Sequence, residues 1–130
     1  MKTTMSISTL VALLSIGVST VSAGCFSGGD TWPDKANARW HAERACRGFD
    51  GHGGAFSGNF APFETKTACV GLSSTIKFNM AVQNLNSQTR DVSDDECVLR
   101  LHNEINGCDR GGESQIGDWF FRSDPNNGNC

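Results

Sequence analysis

The sequence predicts an α+β domain in which an antiparallel sheet packs with two antiparallel helices and three disulfides fasten the whole. Three observations carry this expectation: a strictly alternating segment at Ser74–Gln83, a capped amphipathic segment beginning at Ser93, and six cysteines that all lie beyond residue 23. An apolar face repeating every second residue marks a half-buried antiparallel strand. An apolar arc at helical spacing marks a helix with one buried side.

The chain has 130 residues, and residues 1–23 read as a secretory signal peptide. Lys2 precedes the apolar run Leu10–Val18, and Val21-Ser22-Ala23 supplies the small residues of a cleavage site. That run is too short for a bilayer core of roughly 30 Å, so the segment is expected to be removed rather than to anchor the chain. Residues 24–130 remain as a single disulfide-stabilised domain, secreted to the extracellular space. Of the 11 Lys+Arg only Lys2 lies in the leader, so the domain holds 10 against 14 Asp+Glu, a net charge of −4. An acidic chain without a basic patch is not expected to bind nucleic acid.

The first helix is expected to start in Asp30-Thr31-Trp32-Pro33-Asp34, with Thr31 as cap and Pro33 in the first turn, and to stop at Gly48. Ala38, Ala42, Ala45 and Cys46 form one stripe, while Ala36 and Trp40 point the other way. Periodicity leaves open which side is buried. The glycine-dense stretch Gly48–Gly58, which carries His52, reads as a mobile or close-packed loop. A strand is expected at Thr65–Val70. In the alternating strand Ile76, Phe78, Met80 and Val82 form the apolar face, and Lys77, Asn79, Ala81 and Gln83 the other. Thr89–Val92 reads as a short strand or an extended lead-in. Ser93 and Glu96 make a capping box for a helix whose buried arc is Cys97, Val98, Leu101 and Ile105, ending at Asn106-Gly107. Asp109–Gln115 reads as a loop, Gly117–Ser123 as an aromatic strand, and Asp124–Cys130 as turn chemistry closed by a cysteine.

An even cysteine number behind a signal peptide implies three disulfides rather than a metal site, because no C-x-x-C occurs and the spacings are long. Two antiparallel helices would bring Cys46 to Cys97 and Cys25 to Cys108, leaving Cys69 for Cys130. This is a geometric preference among many possible pairings. No metal and no cofactor are expected.

The cysteine frame, with a cysteine near each helix boundary and one at the last residue, resembles that of the small secreted fungal killer-toxin-like proteins. The stretch Glu104-Ile105-Asn106-Gly107-Cys108-Asp109-Arg110-Gly111-Gly112, then Gly117-Asp118-Trp119-Phe120 and Asp124-Pro125-Asn126-x-Gly128-x-Cys130, looks like a pattern of secreted fungal proteins. Over its length the chain is similar to glycan-binding proteins of ink-cap mushrooms. The killer-toxin-like resemblance implies the same three bridges. The ink-cap one implies an α-β-α sandwich-like layout, a homodimer that joins two sheets into one, and binding of fucosylated oligosaccharides containing N-acetylhexosamine. It also suggests a role in fungal defence or cytotoxicity.

The residues are compatible with glycan recognition. Sugar hydroxyls and N-acetyl amides need groups that both donate and accept, which Asn79 and Gln83 supply. Lys77 shares their face, Asp118 and Arg122 could line the last strand, and Trp119 could stack on a sugar ring. His52 on the glycine loop could swing over a bound sugar. The competing readings are a killer-toxin-like growth inhibitor acting on a membrane target and a small secreted hydrolase, either ribonuclease or glycosidase. Against the hydrolase, no nucleophile elbow, metalloprotease motif or phosphate loop occurs, and none of Glu43, Glu64, Glu104 and Glu113 is singled out as a catalytic pair. The expected protein is therefore not an enzyme. It binds oligosaccharides or cell-surface glycoproteins.

Overall fold

The computed structural model describes residues 21–130, so residues 1–20 of the expected signal peptide lie outside the described residues. The elements run β1 (Val21–Cys25), α1 (Lys35–Arg47), β2 (Thr65–Gly71), β3 (Ile76–Asn84), α2 (Asp94–Gly107), β4 (Gly112–Ile116) and β5 (Trp119–Asn127). The strands form one antiparallel sheet in the order β1-β4-β5-β3-β2. The predicted α+β class holds, and so do all three bridges: Cys25–Cys108, Cys46–Cys97 and Cys69–Cys130.

Asp34 rather than Thr31 caps α1, its carboxylate accepting the amide N–H of Asn37 at 3.1 Å. Trp32 and Pro33 therefore precede the helix. Trp32 is buried instead, donating its indole N–H to the Cys108 carbonyl at 2.8 Å and meeting Phe78 edge-on at 4.9 Å. The small-residue stripe Ala38, Ala42, Ala45 and Cys46 is the buried side, and Trp40 faces outward, 51% exposed. Gly48 ends the helix at a φ of 82°, where only glycine sits without strain, and its N–H closes on the Arg44 carbonyl.

The glycine loop is close-packed. A side chain at Gly54 would stand 2.1 Å from the Ala45 carbonyl oxygen. The absent Cβ lets the loop lie against α1, where the Phe56 N–H bonds that same carbonyl and the Phe56 ring is buried. In α2, Ser93 caps Glu96 as expected, but the Glu96 carboxylate turns to Arg100 at 2.6 Å instead of reaching back. Its buried arc contains the expected Cys97, Val98, Leu101 and Ile105, and also Glu104.

Both helices contribute to one core against a single side of the sheet, where Phe78, Met80, Val82 and Phe121 are buried. The sandwich therefore has two layers, and its outer sheet face is left open. Burying each such aromatic or large aliphatic side chain contributes roughly 1.5–3 kcal/mol, an upper bound because the unfolded chain already hides some surface.

Three expectations change. Gly112–Ile116, read as loop, is a strand whose inward positions are Gly112, Ser114 and the half-buried Ile116; the first two are too small to give an apolar signal. Val21–Cys25 adds a strand where a cleavage site was expected, pairing Val21 with Ile116 and Cys25 with Gly112. Asp124–Asn127, read as turn, continues β5 with Pro125 buried. Proline is tolerated there because β4 ends at the Gly112–Ser123 pair, so β5 has an unpaired flank beyond it.

Candidate functional site

The phase of β3 builds the open face. With Phe78, Met80 and Val82 committed to the core, Lys77, Asn79, Ala81 and Gln83 point away from the helices. Registered neighbours share a face. Thr67 stands beside Ala81 and Cys69 beside Asn79 on β2, while Arg122, Asp124 and Asn126 of β5 oppose Ala81, Asn79 and Lys77. A hollow of about 450 Å³ opens among Thr67, Cys69, Asn79, Ala81, Arg122, Asp124 and Asn126. Its depth comes from Ala81, the smallest side chain on the face, set between Thr67 and Arg122.

The walls are tied to one another. Asn126 donates its side-chain amide to Asn79 Oδ1 at 2.8 Å. That leaves the Nδ2 hydrogens of Asn79 and the Oδ1 of Asn126 without a protein partner among the described residues. Arg122 donates to Asp124 Oδ2 at 3.2 Å, lies 3.9 Å from Glu113 and covers the Phe26 ring at 5.2 Å. Cys69, at the edge of the hollow, is bridged to the last residue, Cys130, which binds edge strand β2 to the chain terminus. Amide donors, an amide acceptor, a guanidinium and a carboxylate thus converge on one shallow concavity, a set suited to neutral polyhydroxy ligands.

Of the residues singled out from sequence, Asn79 and Arg122 line this hollow, and Lys77 flanks it beside Asn126. Gln83 shares the face but sits at its far end, its amide spent on the Phe63 carbonyl at 3.1 Å. Asp118 lies off the face, in the β4–β5 turn. Its carboxylate accepts from Asn86 at 2.9 Å and stands 3.7 Å from Arg90. Trp119 is on the opposite side: the alternation that buries Phe121 also turns Trp119 inward, edge-on to Phe60 at 5.1 Å. It packs, partly buried, against the core on the helix side and so is not on the open face. His52 is exposed in the glycine loop, where its backbone pairs with Phe49, and it does not line the hollow.

Sequence reasoning missed Thr67, Asp124 and Asn126. The last two would have emerged from carrying the β5 alternation past Pro125. It also missed a second hollow of about 370 Å³ beside α1, lined by Trp40, His41, Arg44, Phe49, Val70 and Met80. There Arg44 lies 4.3 Å from the Trp40 ring centroid and 3.9 Å from that of Phe49. Burial and the Arg44 charge hold the His41 imidazole below its ordinary pKa.

The fold and its face define a disulfide-stapled α+β domain with a polar, uncovered sheet surface. No family model matches this chain, and no curated protein matches it either. No helix among the described residues is long and apolar enough to cross a membrane.

Proposed function

We propose that this chain is a secreted, lectin-like protein that binds fucosylated oligosaccharides containing N-acetylhexosamine and performs no chemistry on them. The observation that carries the reading is the hollow on the open sheet face, with the Asn79–Asn126 pair on one wall and Arg122–Asp124 on another. The unspent donors of Asn79 and acceptor of Asn126 suit an N-acetyl amide, and Arg122 with Asp124 suits vicinal hydroxyls. The nearby carboxylates Asp124 and Glu113 both engage Arg122. They are fixed as acceptors rather than set across a cleft as an acid–base pair. Because the walls are pre-bonded to one another, binding forfeits little side-chain freedom.

Removal of the leader after Ala23 would leave only Gly24 and Cys25 of β1 and uncover the outer edge of β4. Edge strand β2 is a second candidate for pairing with another copy. A homodimer formed by sheet extension at either edge widens the same open face. Export, glycan recognition and dimer formation together suit defence against, or toxicity toward, cells displaying the sugar.

The second hollow favours an alternative location for the same activity, because Trp40 offers the exposed indole that the sheet face lacks. A glycan array probed with the mature protein tests the function. Saturable binding that free oligosaccharide competes away, and that Asn79→Ala with Asn126→Ala abolishes, supports the sheet face. Loss on Trp40→Ala alone moves the site to α1, and a blank array overturns the lectin reading.

A further inference from the structure

Glu104 lies on the helix side of the sheet, 5% exposed, and its Oε1 has no hydrogen-bond partner among the described residues. Among the described residues the Oγ of Ser114 on β4, 4% exposed, likewise has no well-formed hydrogen bond, although it stands close enough to the Glu104 carboxyl to favour its charged form. Both groups line one hollow of about 300 Å³, together with Arg100, Gly107, Cys25 and Gly24. Buried polar atoms left unpaired are uncommon in native domains, and an isolated buried carboxyl is the costliest kind. Burial pushes Glu104 up to about 7, a rise opposed first by the nearby Ser114 hydroxyl, then by its own backbone N–H and by the Arg100 charge. Arg100 makes no ion pair with Glu104 among the described residues; its Nε is held by Glu96 at 2.6 Å.

The strand register places the expected cleavage point at this hollow. Ala23 opposes Ser114, and Gly24 opposes Glu113. The next residue, Cys25, is bridged to Cys108, one helical turn beyond Glu104. Gly24 is therefore tethered at the mouth of the hollow whether or not anything precedes it.

We propose that this hollow is an ammonium-binding site and that its occupant is the chain's own mature N-terminus, the α-amino group of Gly24 pairing with Glu104 and donating to Ser114. The proposal rests on the reading of residues 1–23 as a signal peptide cleaved after Ala23. Cleavage by a secretory signal peptidase is hydrolysis. The Ala23–Gly24 C–N bond breaks, the hydroxyl of water goes to the Ala23 carbonyl and its proton to the Gly24 nitrogen, which then takes a second proton from solvent.

That new cation meets Glu104, the one carboxylate among the described residues that line the hollow. The charged groups facing it are Glu104 and Arg100 from α2. Glu113, opposite Gly24 in register, is turned to the outer face beside Arg122. Pairing gives the shortened β1 a second anchor in addition to the Cys25–Cys108 bridge. Folding of the exported form is thereby linked to correct removal of the leader.

The test compares the chain beginning with a free Gly24 amine, the same chain acetylated there, and Glu104→Gln in both forms. The pKa of the Gly24 amine is read by NMR, and Tm is followed between pH 4 and pH 10. Pairing predicts an amine pKa about one unit or more above its ordinary range of roughly 7.7–8.0, returning to that range in Glu104→Gln. It also predicts a Tm several degrees higher for the free-amine chain than for the acetylated one at pH 7.5, a gap that Glu104→Gln closes. An amine that titrates in its ordinary range, with equal Tm for free and acetylated chains, overturns the pairing without recourse to any substitution. Intact-mass analysis of the naturally exported protein judges the cleavage separately: a first residue other than Gly24 overturns the maturation step whatever the recombinant chain shows.

Discussion

Asn126 donates its side-chain amide to Asn79 across 2.8 Å, joining two strands whose partners are 47 residues apart in the chain. In register Asn79 opposes Asp124 and Asn126 opposes Lys77, so the bond is a diagonal contact across the pleat. It uses one donor and one acceptor and fixes the direction of the groups that remain. Asn126→Ala is therefore expected to lower oligosaccharide affinity about tenfold or more, equivalent to roughly 1.4 kcal/mol. The half-exposed site makes the stability loss about 1 kcal/mol or less. Calorimetric titration and thermal unfolding of the same sample separate the two effects.

The bridge between Cys69 and Cys130 closes a loop of 61 residues and borders the hollow. Replacing both cysteines by serine is expected to lower stability by roughly 2–4 kcal/mol through the freed unfolded chain. It should also weaken sugar binding, because edge strand β2 loses its tie to the terminus. Urea unfolding and glycan titration of the double variant check both parts, and loss of stability with unchanged affinity would confine the bridge to a structural role.

Asn84 is fully buried at the end of β3, where its amide donates to the carbonyls of Phe60, Ala61 and Gln88 while its oxygen accepts from the Asn86 N–H. One side chain thus holds the approach to β2 and the turn that leads to α2. Asn84→Leu leaves these backbone groups unmatched and is expected to cost roughly 2–4 kcal/mol. Urea unfolding measures it, and hydrogen exchange should localise the loosening to residues 60–64 and 85–90.

The raised pKa of Glu104, about 7 against an ordinary 4.5, sets a pH dependence for the chain whose Gly24 nitrogen is not a free amine. The folded state then binds the extra proton, so stability is greatest below about pH 4.5 and falls as pH climbs through 7. The loss is on the order of 2–3 kcal/mol. Glu104→Gln should flatten that window, as followed by unfolding at pH 4.5, 6 and 7.5.

Much of this arrangement was legible in the sequence because the phases were unambiguous. Ile76–Val82 alternates cleanly, so the outward direction of Lys77, Asn79 and Gln83 followed directly, and Ser93 with the arc Cys97–Ile105 fixed α2. The cysteine positions at helix ends constrained the bridges. The last strand was harder: Trp119, Phe120 and Phe121 are all apolar, and three adjacent rings carry no period. Only the fully buried Phe121 settles which way Trp119 turns. Gly112 and Ser114 escaped notice because β4 presents small residues to the core, and Pro125 disguised the continuation that carries Asp124 and Asn126. Glu104 falls on the buried arc of α2 but, being charged, carries no sequence signal of burial.

NMR titration of the ¹⁵N-labelled mature protein with a fucosylated N-acetylhexosamine oligosaccharide bears most directly on the lectin proposal. Saturable shifts of the Asn79 and Asn126 side-chain amides, joined by the Arg122 Nε and the backbone of Thr67 and Ala81, are the predicted result. Shifts confined to the Trp40 indole and the Gly53–Gly54 amides would move the site to α1, and no shift at millimolar sugar would contradict the proposal.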